Sequence, residues 1–407
     1  PGYALGALVL GASLKRHTEH DLVLLHTDEV PQSTRSLLSK IWQLECVERV
    51  KANTNLYTFP GTRFDGVFTK LHVLRLTKYT KVLMLDLDIA VLGSLDCLFE
   101  LTAPAAMHRS ANGTEHGARI DGRTFFAGSD VGDSTEIYEW CQCGGINAGV
   151  MLLKPDEKEY KDVLREVTLP YHPERIPGNG PEQDYLSRLY APWWRHISAA
   201  YNFQLHRVFH SLEPMIWKGE TDRERLPERL KLKLDDLKIV HFSGEMKIWD
   251  HILKHKEATI EEFANTMIRD CSEHYCRMWM DLEGSEEEYA SLDVSKEADG
   301  TFRHARSDVD HHMLNNLLAA SLDLVRGAAV KATQYWHKEF VALADFGLPP
   351  SAQLLHELST PSWPSDARFH HLQRVRIWHI DTWHPATVVA AHEDGKFSVD
   401  FDEGGFW

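Results

Sequence analysis

Cysteine is scarce in this chain, six in 407 residues, which excludes a small disulfide-stapled scaffold and makes a reducing compartment, the cytoplasm, the default expectation. Long apolar runs are missing too. The best, such as YALGALVLGA (3–12), reaches about half of the roughly 18–20 residues that a bilayer span needs, so no membrane span is expected. Positive charge is in deficit: 44 Lys and Arg against 60 Asp and Glu leave a formal charge of −16. A nucleic-acid binder would carry a basic stripe, so no nucleic-acid partner is expected, and an anionic substrate would need a local cation of its own. The chain opens at Pro1 with no basic, apolar, small-residue leader; a preceding segment is therefore expected, and targeting stays open.

What is present is globular: 43% hydrophobic and 10% aromatic residues, in a chain long enough for two or three units at about 100–200 residues each. Cys141 and Cys143, and Cys271 and Cys276 around His274, resemble zinc half-sites, but neither has a partner at zinc-finger spacing, and free thiols are the better reading. Asn112-Gly-Thr114 fits a glycosylation acceptor, a triplet frequent by chance.

Residues 1–256 alternate β-rich apolar runs with helical patterns, the signature of an α/β domain. Strands are expected at 21–27, 47–52, 81–92, 146–153 and 238–242. Helices are expected from Ser33 or Thr34 to about Glu45, and in FTKLHVLRLTKY (68–79), where Phe68, Leu71, Leu74 or Arg75, and Tyr79 share a face. Strands separated by helices imply a mostly parallel sheet with helices on both faces, and ligands in such sheets bind beyond the carboxyl ends of the strands. Residues 103–145, Gly-rich and polar with little periodicity, read as a long insertion or flexible loop. Residues 257–346 form a helical extension, with Ile260, Phe263, Met267, Cys271 and Tyr275 on one face and Met313, Leu317, Ser321, Leu324 and Ala328 on another. An acidic linker (281–300) lies between these faces. A Pro-rich linker (347–367) then leads to a small all-β piece (368–407), a meander around Asp394-Gly395.

The most informative segment is KVLMLDLDIAVLGSLDCLFE (81–100). On a strand, Asp86 and Asp88 emerge on the same side with Leu87 turned away. Unpaired charges inside such an apolar run would cost several kcal/mol, and a divalent cation would neutralise them; the alternative is a carboxylate pair held by backbone N–H groups or a Lys. KIVHFSGEMKIWD (238–250) puts His241 at a strand end, then Gly244 and Lys247. Two carboxylates and an imidazole make a hard, mostly oxygen site suited to Mn²⁺ or Mg²⁺ holding a diphosphate. Lys247 would supply the missing local cation, or else is a solvated surface residue. PEQDYLS (181–187) reads otherwise as a polar helix start.

FTKLHVLRLTKYTKVLMLDLDIAVLGSLDCLFE resembles the core of glycosyltransferase family 8, the glycogenin-like group, with its Asp-x-Asp motif on a GT-A-type, Rossmann-like fold. YALGALVLGASLKRH, GGINAGVMLLKP, PEQDYLS and VHFSGEMKIW match further family blocks in order, over about residues 1–250. The resemblance implies transfer of a hexose from a UDP-sugar, with retention, to an acceptor that the sequence does not identify. It implies Asp86, Asp88 and His241 as Mn²⁺ ligands, with Mg²⁺ the substitute. It implies donor contacts at Tyr3, Lys70, Asp86, Leu87, Asp88, Asn147, Gly244 and Lys247. Glu182 and Gln183 stand where the family usually has Asp-Gln near the anomeric carbon, with Asp184 the neighbouring alternative. A homodimer is compatible with the resemblance. The family's first strand would lie before Tyr3.

The C-terminal piece resembles a Tudor-like SH3-type barrel. Trp378, Trp383 and Phe401 are candidate walls of a cage for a methylated Lys or Arg peptide, or fillers of a small core. Two rivals to the glycosyltransferase reading follow. One is a non-catalytic interaction protein built on a glycosyltransferase-like scaffold. The other is a nucleotidyltransferase, which would usually offer a Gly-rich phosphate loop before a helix.

Overall fold

The apolar run too short to cross a bilayer folds as a buried helix, α1 (Gly2–Lys15), in which every residue from Leu5 to Leu14 is buried. A helix apolar all round belongs inside a core. The computed structural model describes residues 2–52, 66–108, 115–120, 145–169, 181–210, 228–269, 311–359, 374–379, 382–391 and 397–401. Two glycines let a large ring lie flat on α1: a Cβ on Gly2 or on Gly6 would come within 2.5 Å of the Trp249 indole. That contact fixes the loop carrying Lys247 against the first helix.

The chain then forms β1 (Val23–His26), α2 (Gln32–Leu38) and β2 (Gln43–Cys46), with β1 and β2 parallel and Val23 opposite Gln43. The sequence pattern carried the helix to about Glu45 and put the strand at 47–52; both expectations are corrected. Ile41 and Trp42 are buried, the Trp42 indole N–H donates to the Ala7 carbonyl at 2.9 Å, and Gln43–Cys46 pairs with the edge of β1. Burial and strand pairing override local helical preference there. Val67–Arg75 winds as tight 3₁₀ turns rather than an α-helix; Phe68, Leu71 and Leu74 are buried as expected, while Arg75 is exposed.

The expected strand 81–92 is two strands, β3 (Val82–Leu85) and β4 (Ile89–Val91), which enter different sheets. With β5 (Ala105–His108), β6 (Ile146–Leu153), β7 (Arg195–His196), β8 (Phe203–Gln204) and β9 (Ile239–His241), the sheet orders are β3-β6-β5-β7 and β4-β9-β8. The expectation of a mostly parallel sheet is also corrected. The pairs β3–β6, β5–β6 and β4–β9 are antiparallel, while β1–β2, β5–β7 and β8–β9 are parallel. The reason is visible at His108, which pairs with Ile146: the long connection between β5 and β6 returns the chain to the end it left, and such a return gives antiparallel strands.

β6 spans the expected residues but is not regular. Its pairing with β5 jumps from Ala106–Met151 to Met107–Asn147, so residues 148–150 bulge out between two consecutive residues of β5. Helices α3 (Glu157–Thr168), capped by the Asp156 carboxylate accepting from Glu159 N–H, and α4 (Pro181–Leu189) follow.

Residues 260–269 are helical, with Phe263 and Met267 buried. The long helix α5 (His311–Val341) buries Ser321, Val325, Ala328, Ala332 and Trp336 and shares one core with α1, β4 and β9. Pro349 and Pro350 do not begin a linker: they precede a further helix, α6 (Ser351–Ser359), whose Leu354 joins that core. The terminal meander forms as a three-stranded antiparallel sheet, β10 (Arg374–His379), β11 (Thr382–Ala391) and β12 (Phe397–Phe401), with Trp378 opposite Trp383 in register. The Cys141/Cys143 and Cys271/Cys276 pairs, Asn112, the acidic linker and the Asp394-Gly395 turn lie outside the described residues. Cys46 and Cys97 are free and exposed. Among the described residues no helix is long and apolar enough to cross a membrane.

One histidine pair joins α5 to the turn Asp250–Leu253. His251 Nε2 must donate to the Ala258 carbonyl (2.8 Å), so its Nδ1 accepts from His337 Nε2 at 2.7 Å. Burial, followed by the proximity of His251, lowers the His337 pKa from its ordinary 6.5 to about 4. A base held below its unfolded value contributes stability above the unfolded pKa, and that contribution is lost as the pH falls. The melting temperature should therefore fall between about pH 6.5 and 4 by more in the wild type than in His337→Gln; parallel profiles would contradict this assignment.

Candidate active site

Asp86 and Asp88 lie where the chain passes from one sheet to the other. Asp86 N–H donates to the Gly149 carbonyl of β6 at 2.8 Å, and Phe242 N–H donates to the Asp88 carbonyl at 2.9 Å. Leu87, between them, packs against the main core. The two carboxylates therefore do not share one face of a continuous strand, as the pattern suggested. They converge because the backbone is tied on one side to β6 and on the other to β9. His241, the last residue of β9, pairs with Ile89 and brings Nε2 to 3.3 Å from Asp88 Oδ1 and 4.0 Å from Asp86 Oδ2. One ligand atom from each of the three residues lies within 4.8 Å of the others.

Two lysines close the cluster. Lys247 Nζ is 2.6 Å from Asp88 Oδ2 and donates to the Phe242 carbonyl at 3.0 Å. Lys70 Nζ lies 2.8 Å from Asp86 Oδ1 and 3.1 Å from Glu182 Oε1. Burial pushes the Asp88 carboxyl up, but His241 and then Lys247 outweigh it and hold the group well below the usual carboxylate range. For Lys70 burial pulls downward, and Asp86 and Glu182 more than offset it, so its pKa is raised. Asp88 and Lys70, in two separate ion pairs, are thus each held in the charged form.

Glu182 and Gln183 open α4, a helix N-terminus that favours acidic groups. Glu182 is buried and reaches the cluster through Lys70; Gln183 Oε1 accepts from Asn147 Nδ2 at 3.3 Å. Asp184 is buried. Asn147 stands at the β6 bulge, where its Oδ1 accepts from Gly149 N–H at 3.0 Å. Gly244 faces open space, with nothing within 4 Å of a Cβ built on it. Tyr3 is not drawn into the cluster: it is 59% exposed, with its ring edge-on to Trp249 at 5.0 Å.

Two residues behind the cluster were not singled out from sequence. Asn202 is fully buried and accepts from His241 Nδ1 at 2.8 Å. Gly149 lies against the His241 ring: a Cβ there would overlap Cε1 and lie 2.9 Å from Nδ1. The signals existed: Asn202 and Gln204 are polar residues within the run YNFQL (201–205), and Asn-Ala-Gly interrupts a strand of large apolar residues.

The donor set fits a divalent cation. Two carboxylates and an imidazole are hard to borderline ligands of the kind that hold Mn²⁺ or Mg²⁺ with positions left for phosphate oxygens.

A model of the family described as Glycosyl transferase family 8 matches residues 2–253. Protein R707 of Acanthamoeba polyphaga mimivirus is 32% identical over 284 residues, covering 69% of this chain and 89% of its own length. Human glycogenin-1 is 25% identical over 272 residues, 65% of this chain and 63% of its own. UDP-glucuronate:xylan alpha-glucuronosyltransferase 2 of Arabidopsis thaliana is 26% identical over 203 residues, 49% of this chain and 27% of its own. The chain thus spans less than two thirds of the length of these last two relatives.

The close approach of His241 to Gly149 makes a direct test. Gly149→Ala should displace the imidazole and weaken Mn²⁺ binding by roughly tenfold or more, comparable to the loss of a group that orients a metal ligand. Titration calorimetry reads the affinity. Unchanged affinity would show that the ring position is not needed for the cation.

Proposed function

The chain belongs to glycosyl transferase family 8, and from that membership we propose that it is a UDP-sugar-dependent glycosyltransferase. In this reading it moves a hexose to an acceptor hydroxyl with retention of anomeric configuration on a GT-A-type domain. The observation that carries the proposal is the convergence of Asp86, Asp88 and His241, drawn from a sheet-to-sheet crossing and a distant strand end.

Asp86, Asp88 and His241 would hold the cation, Mn²⁺ by the family resemblance, and Lys247 would stand beside it. A bound divalent cation would draw charge from the diphosphate as the sugar–phosphate bond breaks. Lys247 already carries an ammonium to Asp88, so on donor binding the same group can turn to a phosphate oxygen and stabilise the leaving UDP as its charge develops. The open space at Gly244 lets a diphosphate approach the backbone next to it.

On the sugar side, the C–O bond to phosphate breaks and leaves an oxocarbenium-like centre. The acceptor oxygen forms the new bond and gives up its proton to an oxygen of the departing diphosphate. Glu182 supplies negative charge through its place beside Lys70, and Gln183 supplies an amide whose oxygen is already engaged by Asn147. We assign Glu182 to stabilising the developing cation and Gln183 to positioning. Lys70, which joins Asp86 to Glu182, ties the diphosphate half of the site to the sugar half.

The donor hexose is tested with a panel of UDP-glucose, UDP-galactose and UDP-glucuronate, scored for Mn²⁺-stimulated transfer or release of sugar. Turnover of a UDP-hexose that chelator abolishes and Asp88→Asn lacks is expected. Silence across the panel, or equal Mn²⁺ binding in wild type and Asp88→Asn, would remove the reading and favour the scaffold. Lys247→Ala should lower kcat by roughly 10²–10³-fold, the usual cost of removing one preorganised stabiliser of developing charge. In the same variant, Mn²⁺ affinity without UDP should stay equal or rise, because Asp88 loses a competing ammonium; weaker Mn²⁺ binding would contradict the assignment of Lys247 to the phosphates.

A further inference from the structure

Two buried amides behind the cluster, Asn147 and Asn202, and the half-buried amide of Gln183 have only one consistent orientation. Gly149 N–H is a donor whatever its surroundings, so the Asn147 atom 3.0 Å from it is the oxygen. That same oxygen lies 2.7 Å from Asn202, whose facing atom must therefore be the NH₂. The other end of Asn202, its oxygen, then faces His241 Nδ1 at 2.8 Å, and the ring nitrogen must carry the proton. The remaining NH₂ of Asn147 meets the Gln183 oxygen at 3.3 Å, so in this relay no oxygen faces another. Asn202 is 0% exposed and His241 2%, which leaves solvent no role in satisfying a flipped amide.

We propose that Asn202 is a positioning residue that holds the His241 proton on Nδ1, leaving the Nε2 lone pair directed to the cation beside Asp86 and Asp88. The inference rests on the cation site argued above but concerns this chain's own hydrogen bonds. A backbone N–H in the β6 bulge sets the first amide, the first sets the second, and the second sets the imidazole. Outer partners of this kind fix which nitrogen of a metal-binding histidine is free. The same relay links Gln183, at the start of α4, to His241, at the end of β9.

The test begins with the metal-free protein. Two-bond ¹H–¹⁵N correlation spectra at alkaline pH, with His241→Gln used to assign the signal, report which ring nitrogen carries the proton. Wild type and Asn202→Asp, which keeps an acceptor toward the ring, should show it on Nδ1. Asn202→Leu should show Nε2–H or a mixture. Titration with Mn²⁺ should then give roughly 10–100-fold weaker binding in Asn202→Leu.

A wild-type His241 protonated on Nε2 would overturn the relay, as would Asn202→Leu binding Mn²⁺ like the wild type. Should Asn202→Leu fail to fold, the wild-type spectrum still decides, because a proton on Nε2 there would overturn the relay. A wild type with the Nδ1 proton but no Mn²⁺ affinity would sink the cation site and leave the relay standing.

Discussion

Two carboxylates within 4.8 Å of one another, partly removed from water, set the terms for everything around them. At that separation, and at an effective dielectric constant of about 20, two negative charges repel by roughly 3–4 kcal/mol. The protein answers with an ammonium on each and an imidazole between them: Lys70 on Asp86, Lys247 on Asp88, and His241 facing both. None of these partners is near the pair in sequence. Each comes from a separate element, and the elements are where they are because of the cores on which they rest.

The supporting architecture is built from small residues as much as from large ones. Gly149 leaves room for the His241 ring and gives its N–H to Asn147; Gly2 and Gly6 leave room for Trp249, two residues beyond Lys247. A bulge in β6 re-aims the side chains at that point, a device often found beside sites of chemistry. Against the net charge of −16, Lys70 and Lys247 set two ammonium groups among the three carboxylates of the cluster, where an anionic ligand would need a cation.

Much of this was legible beforehand, for reasons that can be named. Asp86, Asp88, His241 and Lys247 were readable because charged groups inside apolar runs need partners, and because ordered blocks resembled a family to which the chain belongs. Strand β6 was readable from its mostly apolar run, and α5 from its helical spacing. The crossing between β3 and β4 was not, since a continuous apolar stretch looks the same whether it stays in one sheet or changes partner. The end of α2 was misjudged because the burial of Ile41 and Trp42 depends on α1, which local pattern does not see. Asn202 was hidden for a related reason: its partners, His241 and Asn147, are neighbours only in space.

The change of sheet between Leu85 and Ile89 places a seam through the site. Asp86 is fastened to one side of it, while Asp88 and His241 are fastened to the other. Anything gripping all three would work as a rivet across two sheets that also meet through the Asn147–Asn202–His241 relay and a shared apolar core. Loading the site would then stiffen the domain as a mechanical whole, and the grip itself would register any slip of one sheet against the other.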